Sequence, residues 1–163
     1  MVAHLDLAER SGLSTFLVGN AIAYAGLMPM DDAFSGHVSR RLKLLARDLG
    51  ALGVPLPQDA KLIDAMPSAS VLGVRYVVAG SALGGRVLAR HHSRATDARV
   101  RRAGAFLGDE SLGSYWSDLL KELNGDEDAG PQSDAVVSGA HRCFALFEAA
   151  FARALALETA SIP

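Results

Sequence analysis

Apolar residues recur along this chain at helical spacing, and glycine and proline breaks cut the pattern into segments. The first runs from Ser11 to about residues 26–28, before Pro29. Within it Leu13, Phe16, Leu17, Asn20, Ala21 and Tyr24 follow the i, i+3, i+4 rule of one buried face. A second helix is predicted over residues 35–52. Val38, Leu42, Leu45 and Leu49 form its stripe, while Arg40, Arg41, Lys43 and Arg47 are expected to face elsewhere. Gly53-Val54-Pro55-Leu56-Pro57 ends it, because proline lacks a backbone donor and fixes φ. Residues 59–66 read as a short helix.

Ser68, after Pro67, opens a long helix that continues to about His92, broken or bent by glycines. A basic, loop-rich stretch follows. Ser111 reads as the N-cap of a helix over residues 112–124. Residues 125–131 read as a solvated turn, and Ser133 is expected to start the last helix. That helix places Val136, Ala140, Cys143, Phe144, Phe147, Phe151, Ala154 and Leu155 on one face. No segment alternates as a strand would, and no repeat is visible. The prediction is an all-α single domain over residues 1–163, an irregular bundle of about six helices.

Composition narrows the function classes. At 163 residues the chain fits one domain. The lone Cys143 excludes an internal disulfide framework and any multi-cysteine metal site. A formal charge of −2 and a pI near 6.2 give no signature of nucleic-acid or anionic-membrane binding. Residues 11–30 are uncharged and long enough to span a bilayer. Ser11, Ser14, Thr15, Asn20 and three glycines within them, and their one-sided pattern, favour a core helix. The start lacks the basic residues of a signal peptide. A soluble, cytoplasmic protein is expected.

The most unusual stretch is Tyr76-Val77-Val78-Ala79-Gly80-Ser81-Ala82-Leu83-Gly84-Gly85-Arg86-Val87-Leu88-Ala89-Arg90-His91. Each glycine inside a helix costs ~1 kcal/mol against alanine, so three of them imply a compensating need. Gly80 and Gly84 share a face, and Gly85 allows a kink. Tight helix–helix packing is one reading. A flat ligand lying against bare backbone is the other. A P-loop is excluded by the absent Lys-Ser/Thr ending, and a dinucleotide fingerprint by the absence of a preceding strand.

This stretch resembles the distal helix of bacterial biliverdin-producing heme oxygenases. Residues 5–17 resemble the start of that family's second helix, and Arg47-Asp48-Leu49-Gly50-Ala51-Leu52-Gly53 its next helix end. Leu112-Gly113-Ser114-Tyr115-Trp116 resembles its Gly-x-x-Trp segment, and residues 140–151 its closing helix. The resemblance covers nearly the whole chain. It implies a heme oxygenase-like fold with heme lying against the distal glycines, Gly80, Gly84 and Gly85. Ser81 would stand where some relatives order distal water, and Arg86 and Arg90 would meet propionates or a partner.

The family's proximal histidine lies in a helix before the segment that residues 5–17 match. Only His4 precedes that segment here, so the first helix and its axial ligand are expected to be missing. Ala79 also replaces the family's usual glutamate. The expectation is a degenerate, non-catalytic member, with weak or no heme binding and no cofactor. It would act through protein contacts or regulation, with a protein partner or a second copy covering the face the first helix would occupy. The alternative is an active heme oxygenase that converts heme to biliverdin, CO and iron with His4 or His37 as a non-standard ligand. A start upstream of Met1 is a third reading.

The other candidates read as structural. His91 and His92 are expected to be solvated or to meet a helix C-terminus. His141 is expected to be packed or half-buried, Cys143 a small core residue and Trp116 core. Asp109-Glu110 stands too isolated for paired-carboxylate chemistry. The basic run from Arg86 to Arg102 reads first as a solvated face and second as a surface for an acidic partner.

Overall fold

A computed structural model describes residues 5–28, 34–57, 68–124 and 130–160. These residues form a bundle of α-helices, with no strand among them. In chain order the helices are α1 (Arg10–Gly26), α2 (Ser35–Leu52), α3 (Ser68–Leu83), α4 (Gly85–His92), α5 (Ala98–Arg102), α6 (Leu112–Asn124) and α7 (Gly130–Ala160). The expected all-α bundle is therefore what the sequence forms. The short helix expected over residues 59–66 lies outside the described residues.

Helix α1 is the central element. Thirteen of its residues are buried, Leu13, Phe16, Leu17, Ala21, Ile22 and Tyr24 among them. Helices α2 and α7 pack against it, which is why its apolar positions spread around the helix instead of forming one stripe. Helix α2 ends as its sequence requires. Gly53 takes the left-handed conformation at φ 70°, and the amide of Val54 donates to the Leu49 carbonyl at 2.9 Å.

Helix α3 lies along α7 on one side and α6 on the other. Its crossing with α7 is made by two glycines that the sequence pattern does not single out. A Cβ at Gly73 would overlap the Val136 carbonyl, and one at Gly139 would overlap the Ser70 carbonyl. The two backbones thus touch directly, the close approach that small residues allow.

Three features depart from the sequence pattern. Helix α7 starts at Gly130, before Ser133, because Pro131 is tolerated in a first helical turn, where its missing N–H has no partner to lose. Phe144 and Leu155 do not share its buried face; they are 54% and 43% exposed, while Cys143, Phe151 and Ala154 are buried. The basic loop contains a turn of helix, α5, which Asp97 caps by accepting from the amides of Arg99 at 2.6 Å and Val100 at 3.1 Å.

By length and composition one helical stretch among the described residues could cross a bilayer, Ser70–His92, and it is not the one over residues 11–30. Its mean hydropathy of 1.3 is modest, and the helix breaks at Gly84. That is weak support for a span.

Candidate functional site

The long glycine-bearing helix does break, and it breaks at Gly84, between α3 and α4. Gly84 keeps ordinary helical dihedrals, φ −69° and ψ −16°. Beneath the break lies a cavity of about 190 Å³. Phe16 and Asn20 of α1 form its floor, and Phe147 and Phe151 of α7 one side. Ser81, Ala82, Gly85 and Leu88 line the break itself, while Phe106, Leu107 and Asp109 close it from the loop after α5. Arg41 of α2 completes the wall.

The walls are held by interlocked rings. Phe106 packs tilted against Phe16, with centroids 6.2 Å apart, and edge-on to Tyr24 at 5.8 Å. Phe16 also meets Phe151 at 6.1 Å, and Tyr24 meets Phe147 at 5.9 Å. Phe151 in turn needs Gly19, where a Cβ would sit 2.7 Å from the ring.

Asp48 places the loop that carries Phe106. Its side chain is fully buried and accepts from the amides of Ala105 at 3.1 Å and Phe106 at 2.8 Å. Burial raises its pKa, and the two amide donors oppose that rise without cancelling it.

Arg41 does not face elsewhere, as its place among polar neighbours predicts; it is buried. Its guanidinium carbon lies 4.0 Å from the centroid of Phe106. Its Nη1 donates to Asp109 Oδ2 at 3.1 Å, and Arg40 Nε donates to the other oxygen at 3.2 Å. The side chains of Arg41 and Asp109 are 6% and 2% exposed. Burial pushes the Asp109 pKa up, but hydrogen bonds from Ser111 and Arg40 and the charge of Arg41 outweigh it, leaving the group below its ordinary value. Asp109 is therefore not an isolated acid but the hub of this polar cluster. Arg41 Nε and the Tyr24 hydroxyl are both buried with no partner at normal hydrogen-bond distance, although Arg41 lies close enough to Tyr24 for a weak hydrogen bond to it. Burial raises the Tyr24 pKa, with the Arg41 charge opposing.

The sequence-predicted site residues divide. Ser81 and Gly85 line the cavity, and Ser81 Oγ donates to the Val78 carbonyl at 2.8 Å. Gly80 does not; the indole of Trp116 covers it, 3.2 Å from where a Cβ would be. The same indole, half-buried, packs on Tyr76 with centroids 5.2 Å apart. Gly84 is exposed and meets only its own helix, at the Ser81 carbonyl. Arg86 and Arg90 are also exposed. Arg86 stands 3.5 Å from Glu110, with side chains 81% and 74% exposed, a pair worth little in water.

None of the described histidines lies on the cavity. His37 is half-buried, packed against Phe34 at 5.6 Å and Tyr115 at 5.0 Å. His4 lies outside the described residues. His92 is buried, not solvated, with Nε2 2.7 Å from the Val100 carbonyl and its ring filling the space above Gly104. His91 lies 3.6 Å from Asp6, and His141 is exposed rather than packed. Cys143 is buried in the core, and burial pushes its thiol up to about 12, so it stays protonated there. Among the described residues no three His, Cys, Asp or Glu side chains cluster to hold a metal.

Heme does not fit the cavity. Its volume falls below the ~300–1,000 Å³ of pockets for drug-sized ligands, and its described walls carry no His, Cys, Met or Tyr to ligate iron. A larger groove of about 600 Å³ runs between α1, residues 54–57 and the end of α7. Its described walls likewise offer no such donor. No protein-family model matches this chain, and no curated protein matches it significantly.

Proposed function

We propose that this protein is a heme oxygenase-like scaffold that does not degrade heme and that acts through contacts with another protein chain. The observation that carries the first half is the cavity beneath the glycine break. At about 190 Å³, and without an iron donor on its described walls, it has room for one small ring and not for a tetrapyrrole. The likeness to the family rests on the glycine stretch, on the break at Gly84 and on the Trp116 segment that packs over Gly80. A reductase-coupled assay with hemin is expected to yield no biliverdin.

Protein contact is supported by what the glycine helix exposes. Tyr76, Leu83 and Val87 fall at helical spacing on its outer side and are 42%, 53% and 69% exposed. Arg86 and Arg90 flank them. Such an apolar stripe with a basic rim suits an apolar surface edged by acidic groups. A second copy would have to present a different, acid-edged face to it, and self-association of that kind is the simplest form of this contact. Light scattering is expected to show a dimer for the native chain and a monomer for Val87→Asp. A native monomer unaffected by Val87→Asp would remove self-association.

A further inference from the structure

We propose that the cavity beneath the α3–α4 break is a binding site for a small, single-ring aromatic acid of the benzoate class. This inference stands on the cavity alone and does not depend on the family likeness.

Size sets the first limit. A dry apolar cavity of ~150 Å³ takes up benzene. At about 190 Å³ this one holds a single ring with a short polar group, and no second ring. The walls set the second limit. Four phenylalanines, Phe16, Phe106, Phe147 and Phe151, line the apolar part. Phe106 is fixed by Asp48 and Phe151 by Gly19, so the slot is preformed and costs little ordering on binding.

Charge decides the polar group. The cavity wall itself carries one cation, Arg41, and one carboxylate, Asp109, while Arg40, off the wall, adds a second positive charge to the cluster. Arg40 is 59% exposed, and water screens it. Arg41 is buried against the cavity, and its Nε has no acceptor at normal hydrogen-bond distance. A buried cation with spare donors favours an anion beside it. Ser81 lines the cavity and is exposed, so the mouth lies at the helix break, where no side chain stands on Gly84 or Gly85.

The test is titration of the full chain with sodium benzoate and, in parallel, benzyl alcohol, followed by calorimetry and by amide NMR shifts. Benzoate is expected to bind and to shift resonances of Ala82, Phe106 and Phe147. Benzyl alcohol, of the same size but uncharged, is expected to bind about tenfold more weakly or worse, the fold-change of a charge-assisted hydrogen bond. Ala82→Leu places a branched side chain in the cavity and is expected to abolish benzoate binding while leaving the helical circular dichroism intact. Leu88→Phe fills the same space from α4 and serves if Ala82→Leu does not fold. Absence of benzoate binding, equal affinity for the two ligands, or shifts confined to surface arginines would each overturn the proposal. So would undiminished binding to a folded cavity-filled variant.

Discussion

Arg41 and Asp109 are the residues on which the site turns, and they act as a pair. Each side chain is almost wholly removed from water, so deleting either strands the other. Asp109→Asn is expected to destabilise the fold by about 3–5 kcal/mol at neutral pH, read from urea denaturation. A loss below about 1 kcal/mol would show that the pair is not buried in solution. The pH dependence has a defined sign. The folded-state pKa of Asp109 lies below its ordinary value. Its contribution is therefore fully present above about pH 4 and fades as pH falls through that lowered value. Asp48 works the other way. Its pKa is raised, so its contribution is present below the ordinary value and lost as pH rises through the raised one. Asp109→Asn should therefore flatten the acid limb of the stability profile.

None of this pairing is legible from pattern. Arg41 sits between Arg40 and Leu42, and helical periodicity sends such an arginine to the surface. Its partner lies 68 residues away, on a loop. The fit becomes visible only when the Phe106 ring covers the guanidinium. The candidate ligands divide for the same reason. Cys143 lies where the sequence puts it, because it shares a helical face with Ala140 and Phe147. His141 is exposed where the pattern predicts packing, and His92 is buried with its ring on the Val100 carbonyl in the last turn of α5, since spacing carries no signal of which histidine meets a neighbouring element.

At the scale of elements, periodicity serves well where one face is buried and poorly where backbones touch. It recovers α2 as Ser35–Leu52, because the stripe from Val38 to Leu49 and the Gly53 stop agree. It also places the break of the long helix among its glycines. It misjudges which glycines bear the packing. Gly84 stands out in the sequence, yet its dihedrals suit any residue and its Cβ would meet only the Ser81 carbonyl, at 3.4 Å. Gly84→Ala is therefore expected to leave stability unchanged or raise it by up to about 1 kcal/mol. Gly73→Ala, or Gly139→Ala, must push α3 and α7 apart and is expected to cost about 1–3 kcal/mol or more. Thermal unfolding of the three variants checks both statements. If Gly84→Ala were the most damaging, Gly84 would be a packing contact and not an open break.

The whole molecule joins these scales. Helix α1 is enclosed by α2 and α7, and α3 is clamped to α7 by the two glycine contacts. The rods leave a small, ring-walled space under the break, with the Arg41–Asp109 pair in its wall. The sequence resemblance implies a broad face for heme at Gly80, Gly84 and Gly85. In the structure Trp116 covers Gly80, Leu107 backs Gly85, and the cavity beneath the break measures about 190 Å³. Side-chain bulk delivered from distant segments, not the glycine spacing, sets the size of the site. Titrating the purified chain with hemin, followed in the Soret region, puts that size limit to the test. No saturable one-to-one spectrum and no ligated-iron bands are expected. A tight one-to-one complex with an axially ligated spectrum would contradict it.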